Sequence, residues 1–98
     1  MHKLIRDKYS GIIDKGELKK ASGLREHQQL LHEKLGEEIE ELREAKYCDV
    51  NEYADVIEVL YTLARMNDIP VAAIETARQK KRTELGGFMG GLILSRPE

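Results

Sequence analysis

The sequence predicts an all-α fold: a helical bundle of three main helices completed by oligomerisation, with a short N-terminal segment and a Gly-rich C-terminal tail. Apolar residues recur at three-, four- and seven-residue spacings from Leu24 onward, which is the periodicity of an amphipathic helix. Charged residues make up 35% of the chain, a proportion typical of exposed helical faces. The 98 residues suffice for one domain, residues 1–98. A chain this short buries only roughly 60–65% of its unfolded surface, and association between copies is one common remedy.

The N-terminal segment "KLIRDK", residues 3–8, is short and mixed, and its pattern fits an extended stretch as well as a short helix. The first long helix is expected to begin at Leu24, because its apolar pattern is continued at helical spacings by Leu31, Leu35, Ile39 and Leu42. It is expected to fade near Tyr47.

The second helix is expected to start at Asp49. Asp49 suits the N-cap, and Glu52, three residues later, suits the reciprocal partner of a capping box. The apolar residues that follow, from Tyr53 to Ala64, span an arc wide enough to be mostly buried. Asn67 and Asp68 end the pattern.

The third helix is predicted to run from Pro70 to about Glu84. Proline suits the first turn of a helix, and Gly86 with Gly87 suits its end. The tail "GGFMGGLILSRPE" is punctuated by glycine, so we expect a loop followed by a short strand at residues 92–94.

Composition excludes several classes of function. A net charge of −2 argues against binding to a nucleic-acid polymer. The single cysteine, Cys48, excludes a disulfide framework or a thiolate zinc site within one chain. No apolar run is long enough to span a membrane and no signal peptide opens the chain, so we expect a cytoplasmic protein with no membrane partner.

The stretch "EKLGEEIEELREA" carries six glutamates, and the helical angle divides them into two groups. With about 100° between successive residues, Glu38 lies about 20° from Leu31, inside the apolar stripe, and Glu41 lies at its edge, about 80° away. The other four face the opposite side and are expected to be solvated: Glu33, Glu37, Glu40 and Glu44.

The second helix repeats this arrangement. Glu52 lies about 80° from Leu60, among apolar residues, and Asp55 lies about 140° away, beside Met66. A single border glutamate is more often merely solvated, but two acidic i,i+3 pairs on consecutive helices favour a site. Four converging carboxylates repel one another unless cations compensate them, and hard oxygen ligands suit Mg²⁺ or Mn²⁺.

Basic residues are placed to complement such a site. Arg78 and Lys81 extend the apolar face of the third helix, and Lys34 lies one turn before Glu38. Taken alone, these residues are better explained by their aliphatic chains covering apolar surface while the charged ends stay in water. Beside a metal ion, however, their charged ends are well placed to bind phosphate oxygens. In "GGF", the free backbone N–H groups and the ring of Phe88 fit a loop over a nucleotide.

These motifs, "KLGEEIEEL" followed by "NEYADVIEVL", resemble the E-x-x-E…E-x-x-D signature of the MazG-like all-α nucleoside triphosphate pyrophosphohydrolase superfamily. The match falls on Glu38, Glu41, Glu52 and Asp55. "KLIRDK" near the start and "KRTELGGF", residues 81–88, are similar to the ends of a small branch often labelled phosphoribosyl-ATP pyrophosphohydrolase-like. This branch usually continues with Ile-Pro, where this chain has Tyr9 and Ser10.

The resemblance implies a homodimer or homotetramer that hydrolyses a nucleoside triphosphate between the α and β phosphates, with Mg²⁺ held by the four acids. It also implies that one carboxylate, with Glu41 and Glu38 as the candidates, orients or deprotonates the attacking water. Lys34, Arg78, Lys81 and Arg82 become candidates to stabilise the leaving pyrophosphate.

Two alternatives stay open at the level of sequence. One is phosphoribosyl-ATP hydrolysis in histidine biosynthesis, and the other is a non-catalytic helical module that binds a nucleotide or a partner protein. Of these possibilities, we favour the prediction of an enzyme that cleans the nucleotide pool.

Overall fold

A computed structural model describes residues 3–8 and 18–97, and these ranges contain three α-helices. Helix α1 is Leu24–Glu44, helix α2 is Val50–Met66 and helix α3 is Val71–Leu85. The described residues contain no strand, so the all-α prediction with three main helices is confirmed. The strand expected at residues 92–94 is not formed: the chain there is irregular and exposed, with no neighbouring strand in the described ranges to pair with it.

Helix α1 ends three residues before Tyr47. Its last turn is closed by hydrogen bonds from the N–H of Ala45 to the carbonyl of Glu41 and from the N–H of Tyr47 to the carbonyl of Leu42. Lys46 and Tyr47 then adopt left-handed backbone angles, with φ of 56° and 60°. Residues other than glycine rarely occupy this region, so these two residues form a sharp turn that stops the helix.

Helix α2 begins at the predicted cap. The Asp49 carboxylate accepts a hydrogen bond of 2.9 Å from the N–H of Asn51, which satisfies one of the open donors of the first turn. A second contact fixes the same corner, because the Tyr53 hydroxyl donates to the carbonyl of Tyr47 at 3.0 Å. The connector between α1 and α2 is therefore held from both sides.

Helices α1 and α2 form an antiparallel hairpin. Asn67, just after α2, donates to Gln28 near the start of α1, while the acidic pairs meet near the other end. The buried centre of this hairpin is small: among the described residues only Leu31, Val59 and Glu38 are less than a tenth exposed.

Much of the predicted apolar surface is open to solvent in a single chain. Leu24 and Ile39, expected on the inner face of α1, are 60% and 49% exposed. Helix α2 exposes Tyr53, Ile57 and Leu60 because nothing in the described part of the chain covers that face. The expectation that the α2 arc is mostly buried is therefore not met within one chain.

Helix α3 stands apart from the hairpin. It contacts α2 at few positions, makes no contact with α1 within the described ranges and buries none of its residues. Gly86 ends it with a φ of 82°, an angle that glycine adopts without strain. The radius of gyration is 17.2 Å, compared with about 13 Å for a compact domain of this length. No helix in the described ranges is both long and apolar enough to cross a bilayer.

Candidate metal centre

Four carboxylates meet where α1 and α2 face each other. Each of them offers one oxygen, and these four oxygens all lie within 4.8 Å of one another. They belong to the two i,i+3 pairs singled out from the sequence: Glu38, Glu41, Glu52 and Asp55. The structure therefore brings together all four of the predicted ligands, because a one-turn spacing on each helix points both acids of a pair to the same side.

Glu38 is the most deeply placed of the four. It is only 5% exposed, and its Oε1 accepts from the ammonium of Lys34 at 3.1 Å, one helical turn away. Burial raises the pKa of the Glu38 carboxyl, because the charged form loses hydration, while Lys34 opposes the shift. Its other oxygen, Oε2, is buried and has no hydrogen-bond partner in the described part of the chain.

Glu52, on the facing helix, also has a buried carboxylate oxygen and a raised pKa. Its Oε2 is buried without a hydrogen-bond partner among the described residues, and loss of hydration together with the charge of Asp55 raises the pKa of its carboxyl. The side chain that was expected to complete the capping box is thus part of the acidic cluster.

The fit of a divalent cation can be tested on these atoms. Buried polar atoms in proteins are nearly always paired, so two buried carboxylate oxygens without a partner among the described residues, both belonging to this cluster, need a compensating group. Two oxygens on opposite sides of Mg²⁺ lie about 4.0–4.2 Å apart. The observed limit of 4.8 Å requires side-chain shifts of a few tenths of an ångström, so the four residues fit an ion of this kind.

The N-terminal segment supplies basic side chains that sequence reasoning did not assign to the site. Arg6 pairs through its guanidinium with Oδ1 of Asp55, and Lys3 pairs with Glu37 at 2.9 Å. Lys34 lies 3.5 Å from the same Glu37 oxygen. Glu37 was expected to be solvated, but these two ammonium groups hold it half-buried, and Lys3 lowers the pKa of its carboxyl. The only signal in the sequence was the charged motif "KLIRDK" itself.

A cleft of about 640 Å³ lies between this N-terminal segment and the hairpin. One part of its wall carries the acids Glu38, Glu41 and Asp55, and another carries the apolar Leu31 and Val59. A larger but more open depression of about 900 Å³ lies beside the start of α1 and contains none of the four acids. Of the two, the smaller cleft joins an apolar wall to the cluster of charges.

The remaining predicted binding residues lie outside this cleft in a single chain. Arg78 is held by Glu75 on the same helix, with hydrogen bonds of 2.8 and 3.0 Å, and Phe88 is 99% exposed. Lys81 and Arg82 are also exposed. The prediction that these four residues bind substrate stays a prediction. They could reach the cleft only from a second copy of the chain or with α3 in a different position.

The fold and the cluster define the chain as an α-helical protein with a candidate cation site. Comparison with protein-family models, with curated proteins and with solved structures finds no match.

Proposed function

We propose that this protein is a Mg²⁺-dependent nucleoside triphosphate pyrophosphohydrolase, for which Mn²⁺ can replace Mg²⁺. It cleaves the bond between the α and β phosphates and releases the nucleoside monophosphate and pyrophosphate. The observation that carries the proposal is the convergence of four acids, two of which have a buried oxygen with no hydrogen-bond partner among the described residues. They lie beside a cleft whose wall also carries Lys3, Arg6 and Lys34.

Glu38, Glu41, Glu52 and Asp55 would hold the cation. When bound, the metal supplies charge neutralisation for the triphosphate and lowers the pKa of a coordinated water. The chain supplies orientation: Glu41 lies in the wall of the cleft and is less deeply buried than Glu38, so it can reach a water molecule as well as the ion. We assign Glu41 first, and Glu38 second, to orient or deprotonate the attacking water.

Lys34 is the best placed of the predicted phosphate ligands. Its side chain is mostly buried and lines the cleft, and its ammonium lies 3.1 Å from Oε1 of Glu38, one helical turn away. A cation in this position stabilises negative charge on a departing pyrophosphate, and the low exposure strengthens that interaction.

A homodimer or homotetramer is part of the proposal. The exposed side chains of Tyr53, Ile57 and Leu60 leave an apolar face of α2 uncovered, which is the surface a second copy would bury. In such an assembly Arg78, Lys81, Arg82 and Phe88 of a neighbouring copy would complete the cleft. Sedimentation equilibrium tests this part, and a monomer at micromolar concentration would contradict it.

The direct test is pyrophosphate release from a panel of nucleoside and deoxynucleoside triphosphates, with phosphoribosyl-ATP included, in the presence and absence of Mg²⁺. We expect metal-dependent release that Glu41→Gln abolishes, with Glu33→Gln as the matched control because Glu33 is exposed on the outer face of α1. Preference for one simple triphosphate supports a role in nucleotide-pool cleaning, whereas far better turnover of phosphoribosyl-ATP supports the histidine-pathway reaction.

A binding module gives a different result in the same experiment. Metal-dependent binding of nucleotide, measured by calorimetry, without any product would contradict catalysis and favour a non-catalytic protein. Absence of both metal binding and turnover would refute the proposal as a whole.

A further inference from the structure

The N-terminal segment of residues 3–8 lies directly over the acidic cluster. Leu4 and Ile5 are half-buried and line the cleft, and the basic side chains on either side of them, Lys3 and Arg6, each make a long-range ion pair. Lys3 contacts Glu37, which is not one of the four clustered acids, whereas Arg6 contacts Asp55, which is. The Lys3–Glu37 pair therefore anchors the segment outside the cluster, whereas the Arg6–Asp55 pair involves one of the four clustered acids.

A guanidinium and a divalent cation compete for the same carboxylate. Both need the lone pairs of Asp55, and two cations held by one carboxylate repel each other over a few ångströms. Oε2 of Glu38 and Oε2 of Glu52 have no hydrogen-bond partner in the described ranges while Arg6 holds Asp55, so the guanidinium compensates only part of the cluster. An ion that reaches all four oxygens satisfies more of the cluster than Arg6 does.

We propose that Arg6 is an exchangeable counter-ion, which pairs with Asp55 in the metal-free protein and transfers to phosphate oxygens of the substrate once a divalent cation is bound. This inference rests on the proposed function, and it assigns Arg6 to substrate binding. Three features support the transfer. The guanidinium is a planar fork that matches phosphate oxygens, Arg6 already lines the cleft, and the Lys3–Glu37 pair keeps the segment in place when Asp55 is released.

The exchange predicts effects of opposite sign on two ligands, which a merely structural role does not produce. In Arg6→Gln the competitor for Asp55 is gone, so Mn²⁺ alone binds more tightly, by about two- to fivefold, the range expected for one partly exposed ion pair. At saturating Mn²⁺ the same variant binds inorganic tripolyphosphate about tenfold more weakly or worse, because one charge-assisted contact is lost.

Lys8→Gln is the matched control, because it removes one positive charge from the same segment at an exposed position. Calorimetric titration of the full chain with Mn²⁺, and then with tripolyphosphate, is carried out on the wild type and both variants. Tighter Mn²⁺ binding and weaker tripolyphosphate binding in Arg6→Gln, with Lys8→Gln close to the wild type, support the inference.

Two results would overturn the exchange while leaving the proposed function intact. One is unchanged Mn²⁺ affinity in Arg6→Gln, and the other is an equal gain in Lys8→Gln, which would show a diffuse effect of charge. A wild type that binds no Mn²⁺ would overturn both the exchange and the proposed function, so the two failures are distinguishable.

Discussion

Replacing Glu38 by glutamine should remove most of the thermal stabilisation that Mn²⁺ gives to this protein. The amide keeps the size of the side chain but removes a charge that is 5% exposed and that has one oxygen with no partner among the described residues. A cation that binds only the folded state stabilises the wild type by about 2.7 kcal/mol at a concentration 100 times its Kd. For a domain of this size that corresponds to a rise in Tm of about 10–20 °C.

The expected loss follows from the place of Glu38 in the cluster. Changing even an outer partner of a metal ligand lowers affinity by up to about 100-fold, and a charged ligand at the buried end of the cluster should matter at least as much. At the same Mn²⁺ concentration, a 100-fold weaker site stabilises by only about 0.4 kcal/mol, so Tm should rise by about 2–3 °C.

Thermal unfolding followed by circular dichroism, with and without Mn²⁺, measures both quantities. Glu33→Gln removes the same charge from the exposed side of α1 and should keep the full rise. An equal rise in Glu38→Gln and in the wild type would refute the assignment of Glu38 as a ligand. The absence of any rise in the wild type would refute the cation site itself.

Three further outcomes are expected. Leu31→Ala should lower the free energy of unfolding by about 2–4 kcal/mol in a urea titration, since it leaves a cavity in a small buried centre. Asp49→Ala should cost about 1 kcal/mol in the same assay, because the N–H of Asn51 loses its acceptor. The third outcome concerns pH. Burial raises the pKa of Glu38 and Glu52 above the ordinary 4.5, so the folded metal-free protein binds more protons than the unfolded chain in the interval above 4.5. The free energy of unfolding should therefore fall as pH rises through that interval. In Glu52→Gln the fall should be smaller, because one of the two groups no longer titrates. A pH slope equal to that of the wild type in this variant would contradict a raised pKa of Glu52.

The helices and the acidic pairs could be predicted from the sequence because both depend on local rules. A spacing of three residues places Glu38 and Glu41 on one side of α1 whatever lies around them, and the cap at Asp49 depends only on the next turn. The two acidic pairs then meet wherever the two helices pack side by side, and the short connector between α1 and α2 favours such packing.

The contribution of the N-terminal segment could not be predicted in the same way. Lys3 and Arg6 meet Glu37 and Asp55 across more than thirty residues of sequence, and no periodicity links such distant positions. The exposure of Ile39 was missed for a related reason, because a helical angle shows which residues share a face but not whether anything covers that face.

The corner formed by Lys46 and Tyr47 fixes how α2 leaves α1, because both residues adopt left-handed angles and Tyr47 is hydrogen-bonded to both helices. Adding a single residue to this corner would disturb these hydrogen bonds, and with them the orientation in which α2 presents Glu52 and Asp55 to their counterparts on α1. The connector is thus a component of the candidate metal centre, although no atom of Lys46 or Tyr47 belongs to the cluster of four acids.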